Sequence, residues 1–207
     1  EVSGISNCGG DIGTHALMQL RYITGLEVEA VSAHLESFYK WHENEEDNLD
    51  DHFTAYCRLN NGGKALIRAS QISIGHKNDL RIEVVGSKGS LSWAQEESEK
   101  LIVSPLGKPV RTYYRDPNLA ADDFLETLPP ELLQENTIPW GHSEGFHDAF
   151  ARLHRCFESD VRAYQAGNYK GADGSKYATV EDGMEGIRFI EKAVESDKNE
   201  QTWISLA

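Results

Sequence analysis

Apolar positions recur at helical spacing near the start of the chain. Ile12, Ala16, Leu20 and Ile23 form a stripe over residues 11–24, and Gly25 supplies a stop because glycine readily takes the left-handed conformation that ends a helix. From Glu27 to about Tyr114 the period changes to two. Phe53, Ala55, Cys57 and Leu59 alternate with His52, Thr54, Tyr56 and Arg58, and Asn60-Asn61-Gly62-Gly63 then turns the chain into a strand over Lys64–Ile74. Asn and Gly tolerate the positive φ of a tight turn, so this is a hairpin signal. Leu80, Ile82 and Val84 alternate next. Gly86-Ser87-Lys88-Gly89 turns into Ser90–Trp93, and Leu101–Val103 and Val110–Tyr114 are two further short strands. The pattern predicts a largely antiparallel meander with one face buried.

Residues 115–141 carry Pro117, Pro129, Pro130 and Pro139 and read as a long surface excursion, with one short helical turn around Asp122–Leu128. Phe146, Phe150, Leu153, Phe157, Val161 and Tyr164 then define an amphipathic helix, with Ser143 as N-cap and Gly167 as stop. A last helix opens at Thr179, with Asp182 three residues on in a capping-box arrangement. Its stripe is Met184, Ile187, Ile190 and Val194, and Thr202–Leu206 reads as a terminal strand returning to a sheet edge. No internal repeat is present. The fold class is α+β: an antiparallel sheet with a few helices packed on one side.

The 207 residues suffice for one domain with a sizeable core. Thirty-four acids against 20 Lys plus Arg give a net charge of −14. That balance argues against nucleic acid and against an anionic membrane surface, both of which select basic faces. No apolar run reaches spanning length, and no signal-peptide pattern opens the chain. Cys8, Cys57 and Cys156 are widely spaced and odd in number, so they read as reduced thiols of a cytoplasmic protein. The chain opens with Glu1 rather than Met, which suggests the interior of a longer polypeptide or an engineered start.

Candidate chemistry centres on Asp11 and His15. Four residues apart on a helix, they share a face one turn apart, and a carboxylate beside an imidazole is a proton-handling pair. The plainer alternatives are an Asp11 that only caps the helix and a His15 on its exposed side. His142, in Trp140-Gly141-His142-Ser143-Glu144-Gly145, precedes a helix start, where polar groups of a ligand are favoured. The alternative there is an ordinary loop histidine. His147 and His154 lack a third ligand in register, so no metal site is assigned. Glu43–Asp51 holds six acids in nine residues without calcium-loop spacing and reads as a solvated loop. Cys8 adjoins a helix start but has no histidine partner in the sequence. The glycines around Lys88 fit a hairpin better than a phosphate cradle, because no helix follows them. Nothing matches Gly-x-Gly-x-x-Gly after a strand, nor a Walker loop, so a nucleotide-binding Rossmann unit is absent from this chain.

The run Gly9–Gly25 resembles the start of the C-terminal domain of Gfo/Idh/MocA oxidoreductases. Ala69-Ser70-Gln71-Ile72, Asn78-Asp79-Leu80-Arg81-Ile82 and Gly86–Trp93 resemble the central sheet of the inositol-dehydrogenase-like branch. Gly141–Phe146 and Thr179–Gly183 resemble the starts of its last two helices. The order and spacing of these pieces cover nearly the whole chain.

The resemblance implies an α+β domain (residues 1–207) with an open, mostly antiparallel β-sheet and helices on one face, serving substrate binding and oligomerisation. It implies a preceding Rossmann domain that binds NAD or NADP and is not in this chain, so the cofactor-binding residues are expected there. It implies a sugar, polyol or related cyclic alcohol as substrate, and homodimers or homotetramers built through the sheet. The family's Asp-x-x-x-His pair falls on Asp11 and His15. By that match His15 is the acid/base, Asp11 orients substrate hydroxyls and the imidazole, and His142 is a further substrate contact. The family's lysine, from a Glu-Lys-Pro motif, has no match here. The expected activity is hydride transfer by the full-length parent, with this chain alone inactive. A non-catalytic binding or assembly module with the same fold is the alternative.

Overall fold

The computed structural model describes residues 4–40, 43, 48–116, 138–171 and 176–206. They divide into two compact units, Glu1–Lys77 with Ala178–Ala207, and Asn78–Tyr177. The helical turn expected around Asp122–Leu128 lies outside the described residues.

The first unit is a four-stranded antiparallel sheet in the order β3-β2-β1-β8, built from β1 (Val28–Glu36), β2 (His52–Leu59), β3 (Lys64–Ser70) and β8 (Ile204–Ser205). The period-two alternation is obeyed: Phe53, Ala55, Cys57 and Leu59 are buried while Tyr56 and Arg58 face out. Phe53 lies opposite Ala69 and Ala55 opposite Ile67, so β2 and β3 bury the same face across the expected hairpin. Two helices cover that face, α1 (Thr14–Thr24) and a C-terminal helix, α3 (Val180–Lys198). Phe53 and Phe189 meet edge to face at 6.1 Å in the middle of this core. Full burial of one such side chain stabilises by about 1.5–3 kcal/mol.

Both helices are rotated from the stripes read in the sequence. Along α1 and the turn before it the buried line is Gly13, Leu17 and Leu20; Ile12 and Ala16 flank it, and Ile23 is exposed. Along α3 the buried face is Gly186, Phe189, Ile190, Ala193, Val194 and Ser196, while Met184 and Ile187 are exposed. The buried lines pass through Gly13, Gly186 and Ala193, which carry little bulk and so leave no apolar stripe in the sequence, and Gly186 faces the Thr14 methyl.

The ends behave as expected. Gly25 closes α1 at φ 66° with its N–H on the Arg21 carbonyl. Thr179 and Asp182 form the capping box of α3. The Thr179 backbone N–H, with Arg21 at 3.0 Å, holds the Asp182 carboxyl below the usual carboxylate range.

The second unit holds another antiparallel sheet, β4 (Arg81–Gly86), β5 (Gly89–Ala94), β6 (Lys100–Pro105) and β7 (Arg111–Tyr114), in sequential order. The meander therefore parts into two four-stranded sheets after β3. The Gly86–Gly89 turn is a β-hairpin. Gly89 is obligatory there: its φ is 141°, and a Cβ would fall 2.2 Å from the Ser104 carbonyl oxygen. The helix α2 (Phe146–Gln165) completes the unit. Its N-cap is Gly145 rather than the expected Ser143, and the Gly145 N–H donates to the Asp148 carboxylate at 2.9 Å.

Candidate functional site

The segment entering α1 is held from a distance. The Asp50 carboxylate accepts the Asn7 N–H and the Gly9 N–H, each at 2.7 Å, and the Asp50 carbonyl accepts the Cys8 N–H at 3.0 Å. Asp50 is thus the cap of this helix, from more than forty residues away. Its neighbour Asp51 accepts the Phe38 and Tyr39 N–H groups at 3.1 and 2.8 Å. Both aspartates are buried, at 6% and 1% exposure, which corrects the reading of Glu43–Asp51 as one solvated loop for its last two residues. Residues 44–47 of that run lie outside the described residues.

Gly9–Gly13 form a π-helical turn in which the Thr14 N–H reaches the Gly9 carbonyl, five residues back. Such wide turns cluster at functional sites. Gly9 is pressed against the core, since a Cβ there would lie 2.6 Å from the Phe53 ring and 2.8 Å from Ser6 Oγ.

Asp11 and His15 sit on this turn and on the first turn of α1, both exposed. Asp11 is inside the helical run and does not cap it. Its Oδ2 accepts from Gln71 Nε2 at 3.2 Å, and Gln71 Oε1 accepts from Asn7 Nδ2 at 2.7 Å. Among the described residues, His15 has no side-chain hydrogen-bond partner, which leaves its ring for a ligand.

His142 belongs to the second unit, on the loop before α2. Arg115 organises that loop. Its guanidinium donates to the Ile138 carbonyl at 3.2 Å and to the His142 carbonyl, pairs with Glu99 at 2.9 Å and Glu144 at 3.4 Å, and lies 5.6 Å from the Trp140 ring centroid. Partial burial opposes ionisation of Glu99. Hydrogen bonds from Arg115 and the Glu144 N–H outweigh it, so the Glu99 carboxyl sits below the usual range.

Asp50, Gln71 and Arg115 are the residues that sequence reasoning missed. Asp50 lies two residues before the cleanest strand of the chain, and that position is its one signal in the sequence.

Burial pushes the Cys8 and Cys57 thiols up to about 12, with Asp50 adding to the effect at Cys8. Both therefore stay protonated at neutral pH and are poor nucleophiles. Native protein treated with iodoacetamide at pH 8 should be alkylated at Cys156, and at Cys8 and Cys57 only after denaturation, as read by peptide mass spectrometry. Rapid native labelling of Cys8 would contradict this burial.

The family model described as "Oxidoreductase family, C-terminal alpha/beta domain" matches residues 8–206. The chain belongs to the Gfo/Idh/MocA oxidoreductase family.

An uncharacterized oxidoreductase of Bacillus subtilis (strain 168), YfiI, is 25% identical over 209 residues, covering 98% of this chain and 49% of YfiI. An inositol dehydrogenase homologue from Azotobacter vinelandii, solved with NADH and myo-inositol, superposes with a TM-score of 0.86 at 26% identity, covering 99% of this chain and 51% of its own. An oxidoreductase from Sinorhizobium meliloti is 32% identical with a TM-score of 0.77, over 95% of this chain and 52% of its own. The chain thus spans about half the length of these Gfo/Idh/MocA relatives, and the α+β class is theirs.

The family uses a nicotinamide cofactor, as the neighbours solved with NAD+ or NADH show. Open N–H groups at a helix start are a common seat for a dinucleotide's pyrophosphate. Here a carboxylate stands at all three described starts: Asp50 before α1, Asp148 at α2 and Asp182 at α3. The glycine turn at Gly86–Gly89 joins two strands instead of opening a helix. The Gly9, Gly145 and Thr179 N–H groups already have carboxylate partners. The described residues hold no group of three or more His, Cys, Asp or Glu placed for a metal, and no helix among them is long and apolar enough to cross a membrane.

Proposed function

We propose that this chain is the substrate-handling half of an NAD(P)-dependent dehydrogenase acting on a sugar, polyol or related cyclic alcohol, with the dinucleotide bound mainly by a separate Rossmann domain of the parent protein. The observation that carries this reading is the Asp11–His15 pair. It is exposed on a helix start that Asp50 and Gln71 brace, in a chain whose relative was solved with NADH and myo-inositol.

The redox chemistry belongs to the cofactor. The residues of this chain handle the hydroxyls and the proton. His15, with its ring open to a ligand, takes the hydroxyl proton as the alcohol becomes a carbonyl, the role in which histidine is the side chain most often found. Asp11 accepts hydrogen bonds from neighbouring substrate hydroxyls and fixes the pose. His142 is a further substrate contact. The parent works as a cytoplasmic homodimer or homotetramer assembled through the sheet, a placement in keeping with the free Cys8, Cys57 and Cys156 of this chain.

The full-length protein, assayed for NAD+ or NADP+ reduction with a panel of cyclic polyols and sugars that includes myo-inositol, should turn over at least one member. The 207-residue chain alone should turn over none and should not bind NAD+ tightly. A silent panel would favour the same fold acting as a binding or assembly module. Tight NAD+ binding by the chain alone would overturn the division of labour.

A further inference from the structure

We infer that Gln71 is a positioning residue that sets the direction of the Asp11 carboxylate, an inference that rests on the substrate role proposed for Asp11. The reasoning starts from what each group is able to do. An ionised carboxylate only accepts hydrogen bonds, so the side-chain amide of Gln71 must turn its Nε2 toward Asp11 Oδ2, 3.2 Å away. Its Oε1 is then left to accept, and Asn7 Nδ2 donates to it at 2.7 Å. The amide is thus held from both ends and has one orientation.

The bracket is anchored in the core of the unit. Gln71 follows the last residue of β3, and its backbone N–H donates to the Asp51 carbonyl at 3.0 Å. Asn7 is fixed through its own N–H on the buried Asp50 carboxylate. Two buried aspartates in tandem therefore hold the two residues that aim a third, exposed aspartate. Asp11 Oδ1 is left without a partner among the described residues and becomes the oxygen that meets a ligand hydroxyl. Gln71 is itself exposed, so its side chain adds little to the core, and its effect falls on Asp11. A neutral amide also does this without placing a second charge beside the carboxylate, which a glutamate at 71 would do.

A double-mutant cycle in the full-length protein tests the role, read as kcat and KM with the best-turned-over cyclic polyol of the panel. Gln71→Met keeps the length of the side chain and removes the donor. It should lower kcat/KM about tenfold, since hydrogen bonds to charged groups are the stronger ones. In an Asp11→Asn background the same change should cost less than about twofold, because there is no carboxylate left to aim. Asn7→Ala, which frees the amide to turn, should give a smaller loss that also vanishes in that background. The unfolding midpoint of Gln71→Met should stay at the wild-type value. An equal loss in both backgrounds, or one that tracks a lowered midpoint, would show a merely structural residue and overturn the inference. If Asp11→Asn impairs turnover while Gln71→Met does not, the positioning role alone fails. If Asp11→Asn leaves kcat/KM unchanged, the role of Asp11 fails and this inference with it.

Discussion

His15→Ala in the full-length protein should reduce kcat by about 10²–10⁴-fold, the usual yield of a positioned general acid or base. The size follows from the setting of the ring. His15 stands exposed on the first turn of α1, has no side-chain partner among the described residues, and adds nothing to the core formed by Leu17, Leu20 and Phe53. Truncation therefore removes a proton carrier and little else. The unfolding midpoint should stay within about 1 °C of wild type, in line with surface substitutions that shift stability by no more than about 0.5 kcal/mol. KM should change far less than kcat, because the proton moves in the chemical step. Added imidazole, small enough to enter the vacated position, should restore part of the rate. Undiminished turnover across the polyol panel would end the assignment of His15 as acid/base.

Asp50→Ala should be the most destabilising single change near the site. The carboxylate takes two backbone N–H groups at 2.7 Å from a position only 6% exposed. Each donor left unsatisfied costs roughly 1–3 kcal/mol, and two lose their acceptor. We expect a loss of about 3–4 kcal/mol, or a drop of about 6–16 °C in the unfolding midpoint at this chain length. Asp148→Ala is the control. It removes a cap from α2 that solvent reaches, so water replaces the lost acceptor, and the cost should stay near about 1 kcal/mol. Equal effects of the two substitutions in thermal unfolding would mean that burial of Asp50 is not what makes it matter.

What was legible in the sequence was what local chemistry decides. The β2–β3 hairpin, the alternation Phe53-Ala55-Cys57-Leu59, the Gly25 stop and the Thr179–Asp182 box depend on neighbours within a few residues, and each appears as read. What long-range packing decides was not legible. The buried faces of α1 and α3 run through Gly13, Gly186 and Ala193, residues that carry no bulk and so leave no stripe for the eye. Asp50 and Asp51 were hidden in an acid run, because their partners Asn7, Gly9, Phe38 and Tyr39 are far from them in the chain. The cap of α2 falls at Gly145 and not at Ser143 because Asp148, inside the helix, reaches back to hold the Gly145 N–H. At the candidate site, Asp11 and His15 were visible by spacing, whereas Gln71 became visible only when β3 delivered it to Asp11.

The wide turn at Gly9–Gly13 couples the length of this stretch to the direction of everything upstream of it. A five-residue step carries one residue more than a regular helical hydrogen-bond step. Tightening of the turn to ordinary α-helix at unchanged length would rotate everything upstream by about 100° relative to Leu17 and Leu20, which stay locked in the core. Asp11 would then swing away from Gln71, and Asp50 would face the wrong pair of amides. Relatives with ordinary α-helix here should accordingly be one residue shorter across this stretch, while those of equal length should keep the wide turn.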